Sequence, residues 1–278
     1  MITSDPRIDI SHSILSISTP GSTVFPGDRE KSVALARLLN EWQGALVQTY
    51  PRQFSFVAVI TLPYTQEAVV EVTHSLFKLG AVGIVLLSNH EVYYLGHSNF
   101  RPFYEALNEL SNESHTIFIH PTTPYLRYNA QLVEANPTNY APGLVEFYFD
   151  TARTLMDLFV SGTMQNYTNI RYQISHVGDS FLSIIDRFLS TTADGKTSPF
   201  YTILQTRFWW DSAGPTYPHQ VRGLLAYEVP KSRLTFGTDY PYGYNYETSL
   251  EATLNSSFLD RDDLAWLFED SAKSIYQI

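Results

Sequence analysis

A parallel α/β barrel of the (β/α)8 kind is the fold this sequence predicts, and three observations predict it. Short runs rich in β-branched and aromatic residues alternate with longer stretches of helical periodicity, an order that yields parallel strands joined by right-handed crossovers. No glycine-rich phosphate loop follows the first run, which tilts the choice from a doubly wound sheet to a barrel. Three runs end on a metal-competent side chain, at His120, His176 and Asp239, spaced 56 and 63 residues apart as strand-end loops of a large barrel would be.

Taken in chain order, the strand-like runs fall at 13–18, 54–61, 82–87, 116–120, 170–175, 205–209 and 233–237. The first helix, 29–49, follows Asp28 as N-cap and carries a stripe of Val33, Leu35, Leu38, Leu39, Trp42 and Leu46. The next, 66–79, runs from Thr65 as cap to Gly80, and 146–161 stops at Gly162. Further helices are expected at 99–112, 179–190, 217–228, 247–256 and 260–275. Two stretches are irregular, 191–199 and the four-proline segment 121–145. The latter directly follows His120, so it reads equally as a substrate lid or as a variable surface loop. Seven strands are counted where a closed barrel has about eight.

The chain of 278 residues, 44% of them hydrophobic, has enough apolar surface for one barrel-sized domain spanning 1–278. A formal charge of −10, with only 18 Lys and Arg and no dense basic run, argues against nucleic acid as a partner. Without cysteine, a metal would have to be held by nitrogen and oxygen ligands. No apolar run approaches the length of a membrane span and residues 1–10 do not read as a signal peptide, so the cytoplasm is the expected compartment. The sequons at Asn112, Asn166 and Asn255 then read as chance matches.

His120 ends the buried run Thr116-Ile-Phe-Ile and is stopped by Pro121; a ring at that position needs a partner, be it metal, substrate or carboxylate. His176 repeats the arrangement after Ile170-Arg-Tyr-Gln-Ile-Ser and is followed by Val177-Gly178. Asp239, in Gly237-Thr-Asp-Tyr-Pro241, offers a hard anionic ligand or a proton donor and acceptor; its bland alternative is a helix cap.

Together these motifs resemble the decarboxylase branch of the metal-dependent amidohydrolase superfamily, which includes aminocarboxymuconate semialdehyde decarboxylase and the resorcylate decarboxylases. Ser16-Ile-Ser-Thr-Pro-Gly21, Asn40-Glu41, Pro51-Arg-Gln-Phe54, Asp150-Thr-Ala-Arg153 and Trp209-Trp-Asp-Ser-Ala-Gly214 are similar to the fungal 6-methylsalicylate decarboxylases, and the resemblance spans essentially the whole chain. It implies non-oxidative removal of CO2 from a small aromatic carboxylic acid at a divalent-metal site holding Zn, or Mn. His120 and Asp239 would be metal ligands, and His176 and Asp239 the catalytic acid/base groups. Arg153, Trp210 and Asp211, with Trp209, would be substrate-pocket residues.

The chain departs from that family in two places. The family ends its first barrel strand on His-x-His or Glu-x-His, and no such pair occurs here; His12 aligns with the second strand instead. The expectation is therefore that the first strand and its two ligands are absent, leaving an open barrel edge that lowers stability or invites a homodimer. Asp179 stands where the family has a second glycine after the histidine. Two other readings stay open: a metal-dependent hydrolase of a lactone, and a barrel without its metal that binds a metabolite or a partner.

Overall fold

The computed structural model of the chain describes residues 10–190, 199–242 and 246–278. Seven parallel strands form one curled sheet in sequence order: β1 (Ser13–Ser16), β2 (Phe54–Val59), β3 (Gly83–Leu87), β6 (His115–His120), β9 (Ile170–Ile174), β10 (Phe208–Asp211) and β11 (Leu234–Thr235). Two antiparallel hairpins are added outside it, β4–β5 (Asn89–His90, Tyr93–Tyr94) and β7–β8 (Tyr125–Tyr128, Gln131–Glu134). Among the described residues, β1 and β11 each have a hydrogen-bonded neighbour on one side only.

The crossover helices are α1 (Arg29–Thr49), α2 (Thr65–His74), α3 (Arg101–Glu109), α4 (Glu146–Val160), α5 (Thr163–Asn166), α6 (Ile185–Ser190), α7 (Pro199–Thr206) and α8 (His219–Leu225). The chain closes with α9 (Tyr246–Leu254), α10 (Arg261–Ala265) and α11 (Ser271–Tyr276). Asp28 caps α1 by accepting from the Lys31 amide at 3.1 Å; Gly80 ends the wider turn Ser75–Leu79 that continues α2, and Gly162 follows α4, both in the left-handed region. Asn40 anchors α1 to the sheet, donating to the Val59 carbonyl at 2.9 Å and accepting from the Val59 amide at 2.8 Å. No helix among the described residues is long and apolar enough to cross a membrane.

Period-2 alternation divides the strands between two cores. Ile117 and Ile119 of β6, Tyr172 and Ile174 of β9, and Phe208 and Trp210 of β10 face the helices in the larger core. Val57, Val59, Val85, Phe118 and Trp209 face inward and pack with Ile275 and Tyr276 of α11. That helix is tied to the sheet where the Thr116 hydroxyl donates to the Ile275 carbonyl at 2.7 Å and Arg171 donates to the Ser274 carbonyl at 2.9 Å. Trp209 lies deep in this inner layer, with the Arg233 guanidinium 3.9 Å from its ring centroid.

Several expected boundaries are corrected. The run at 205–209 is helical through Thr206 and extends only from Phe208, because Phe200, Ile203 and Leu204 bury a helical face first. The helix expected over 179–190 starts as an irregular turn and becomes α-helical only at Ile185, since four consecutive residues, His176 to Asp179, have positive φ. The helix expected over 260–275 is divided by a wider turn at Trp266–Asp270. The segment 121–145 contains the β7–β8 hairpin. Of the irregular stretch 191–199, all but residue 199 lies outside the described residues, as do residues 1–9 of the leader expectation.

Candidate active site

A cavity of about 1030 Å³ opens at the C-terminal ends of the strands, between β1 and the loop after β11. His120, His176, Asp211 and Asp239 line it, with Tyr276 of α11 as part of its floor, and no residue of 121–145 belongs to its wall.

His120 reaches the cavity because it shares the inward face of β6 with Phe118. Its Nδ1–H donates to the Pro121 carbonyl at 2.7 Å, which leaves Nε2 with a free lone pair. Burial, with the neighbouring His176 adding to it, pulls its pKa down to about 3, so the ring is neutral and competent as a ligand.

His176 sits at the start of the turn after β9. Its ring lies 5.9 Å from that of His120, centroid to centroid, and is stacked on Tyr148 of α4 at 6.3 Å. Burial alone would lower its pKa, but Asp179, Asp211 and Asp239 outweigh burial and push it up to about 9. Asp211 accepts from the Ala213 amide at 3.1 Å, and burial raises it to about 6. Asp239, with φ of 53°, is raised by burial and lowered by His176. The glycine of the Gly237-Thr-Asp motif is required by this packing: a Cβ at Gly237 would lie 2.0 Å from Asp211 Oδ1.

The turn itself is held from several sides. Gly178 has φ of +80°, and a Cβ there would meet Trp210 Cζ3 at 2.7 Å. The Gln220 amide donates to the His176 carbonyl at 2.5 Å and to the Asp179 carbonyl at 3.2 Å. Val177, β-branched and at φ of 55°, is an outlier among such residues; each sparsely populated backbone costs on the order of 1–3 kcal/mol and persists where its surroundings enforce it.

Of the residues singled out in the sequence, the structure brings together His120, His176 and Asp239. One ligand atom from each lies within 4.8 Å of the others, an imidazole and carboxylate set suited to a divalent cation. Asp211 joins them on the cavity wall. Trp210 does not: it is fully buried on the helix side of β10, against Gly178, and shapes the turn instead. Trp209 lies in the inner core below the cavity, and Arg153 is half exposed on α4, its guanidinium 3.8 Å from Asp150. Asp179 and Tyr148 are contacts of His176 that sequence reasoning missed; the one signal for Asp179 was a carboxylate in place of a glycine.

His120 Nε2, left free by the Pro121 contact, and the Asp239 carboxylate converge on the cavity as nitrogen and oxygen donors. The residues therefore fit a divalent metal.

The pattern of the amidohydrolase family matches residues 7–278. A 6-methylsalicylic acid decarboxylase from Penicillium expansum is 29% identical over 244 residues, covering 84% of this chain and 72% of that protein. A crystal structure of an amidohydrolase superposes with a TM-score of 0.85 at 25% identity, covering 96% of this chain and 84% of the other. A dihydroxybenzoic acid decarboxylase from Polaromonas, solved with manganese and the inhibitor 2-nitroresorcinol, superposes with a TM-score of 0.79 at 19% identity, covering 97% of this chain and 82% of the other. Fold, strand-end residues and the near full-length match agree, and this chain belongs to the amidohydrolase family.

Proposed function

We infer that the chain is a non-oxidative decarboxylase of a small aromatic acid, with 6-methylsalicylate as the substrate to try first and Zn or Mn as the ion. The observation that carries this reading is the convergence of His120, His176 and Asp239 in a cavity of about 1030 Å³, roomy enough for a substituted benzoate. The name of the Penicillium relative supports the substrate, and the manganese of the Polaromonas structure supports the ion.

His120, through Nε2, and the Asp239 carboxylate would hold the metal. A bound divalent metal would supply Lewis acidity, stabilising negative charge on the substrate. His176 handles the proton: Asp179, Asp211 and Asp239 raise its pKa, and its ring, on the cavity wall, is placed to donate. A proton added to the ring carbon bearing the carboxylate makes that carbon tetrahedral. The bond to the carboxylate then breaks, its electron pair restores the aromatic ring, and CO2 leaves. Ile14, Ile17, Phe118 and Tyr276 contribute apolar surface to the cavity against which an aromatic ring can pack.

The test is turnover of 6-methylsalicylate by manganese-loaded protein, with 3-methylphenol and CO2 expected in equal amounts. His120→Ala is expected to lower the rate by at least about a hundredfold. Hydrolysis of lactones without turnover of any salicylate would contradict the reading.

A further inference from the structure

We propose that Asp179 is a positioning residue of the reaction: its carboxylate holds the His176 ring with Nδ1 turned away from the cavity, so that Nε2 is the nitrogen presented to substrate. The proposal rests on the decarboxylase reading given above and goes beyond it, since it assigns a residue outside the cluster of metal-competent side chains.

Three features of Asp179 belong together. Its backbone has φ of 54° and ψ of −127°, a combination that glycine adopts freely and a residue with a Cβ rarely does. Its residue is 5% exposed, and neither carboxylate oxygen has a hydrogen-bond partner. With Thr151 beside it and Asp211 and Asp239 in electrostatic reach, the group it pairs with is His176, whose Nδ1 lies 3.4 Å from Asp179 Oδ1, within ion-pair range though out of line for a hydrogen bond. A side chain that gave only stability would not combine an unfavourable backbone with a buried carboxylate that lacks a well-formed hydrogen bond. Glycine would remove both costs.

The surroundings keep Asp179 in place. The Gln220 amide holds the carbonyls of His176 and Asp179, Trp210 closes over Gly178, and Ser180 donates to the Tyr148 carbonyl at 2.7 Å. Tyr148 in turn stacks on the His176 ring at an interplanar angle of 18°. The imidazole is thus fixed in plane by Tyr148 and in rotation about that plane by Asp179. A small closing motion when substrate fills the cavity would turn the 3.4 Å contact into a hydrogen bond from Nδ1–H.

The experiment compares wild type, Asp179→Gly and Asp179→Asn as full-length chains loaded with diamagnetic Zn2+. Thermal unfolding, kcat and KM for 6-methylsalicylate, and the 15N shifts of the His176 ring are read for each. Asp179→Gly is expected to unfold at the same or a higher temperature, to lose kcat by at least about tenfold with KM changed less than about threefold, and to lose the Nδ1–H signature. Asp179→Asn keeps an oxygen acceptor in the same place, so it is expected to retain that signature and more of kcat than glycine does. Full kcat and an unaltered ring spectrum in Asp179→Gly would overturn the proposal, and so would an Asn variant no better than the glycine one. If wild type leaves 6-methylsalicylate untouched, the decarboxylase reading fails, while the ring spectra still report whether Asp179 orients His176.

Discussion

Two buried aspartates, Asp150 and Asp179, face each other's problem with opposite solutions. Asp150, at the start of α4, is fully buried, and its carboxylate accepts from the Ser88 hydroxyl, from Asn89 Nδ2 at 2.8 Å and from the Tyr94 hydroxyl at 2.8 Å. It staples the loop after β3 to α4, in ordinary helical backbone. Asp179 has no hydrogen bond to either oxygen and a backbone suited to glycine. The contrast separates polar burial that holds a fold together from polar burial that serves a site: the first is satisfied by hydrogen bonds, the second is directed at a neighbour that acts.

The comparison breaks first at Asp150. Replacing it by alanine strands the buried Ser88 and Asn89 and the part-buried Tyr94 hydroxyl, so Asp150→Ala is expected to destabilise the protein by on the order of 4 kcal/mol in urea or guanidinium unfolding. A loss smaller than that from Asp179→Gly would invert the two roles. Gly178→Ala comes next. The added methyl meets Trp210 Cζ3 at 2.7 Å and φ is +80°, so a loss of about 3 kcal/mol is expected, with a fall in kcat because the turn carrying His176 must shift. Stability unchanged in that variant would show that the turn is not fixed by Trp210.

The smallest effect concerns His90, buried where its Nδ1–H donates to the Leu62 carbonyl at 3.0 Å. Burial pulls its pKa down to about 4 from the unfolded value of 6.5. The unfolded chain therefore takes up the proton first as pH falls. The stability that the neutral ring contributes is complete above about pH 6.5 and drains away toward pH 4, about 2 kcal/mol having gone by about pH 5. Urea midpoints at several pH values check this, and His90→Asn is expected to show a flatter decline than wild type.

Much of the architecture was legible because it is written in periodicity. Seven parallel strands and the caps at Asp28, Gly80 and Gly162 follow from strand runs and turn residues that local sequence specifies. The hairpins β4–β5 and β7–β8 were invisible, being two to four residues per strand and made of residues that also suit loops. At the site, His120, His176 and Asp239 stood out because a polar group ending an apolar strand must be answered by something. The same alternation explains why Trp210 and Asp211 cannot share a role: neighbours on one strand face opposite sides, so only Asp211 reaches the cavity. Applied to β10 from the sequence, that rule would have separated them. Four successive positive φ values after β9 carry no such signal, apart from an aspartate where the resemblance called for glycine.

The central claim is a divalent metal held by His120 and Asp239 at the barrel mouth. Mass spectrometry of metals in protein purified without chelator tests it most directly. About one Zn or Mn per chain is expected in wild type, and a small fraction of that in His120→Ala. A His120→Ala variant that keeps its full metal content, or a wild type that decarboxylates without any metal, would contradict the account.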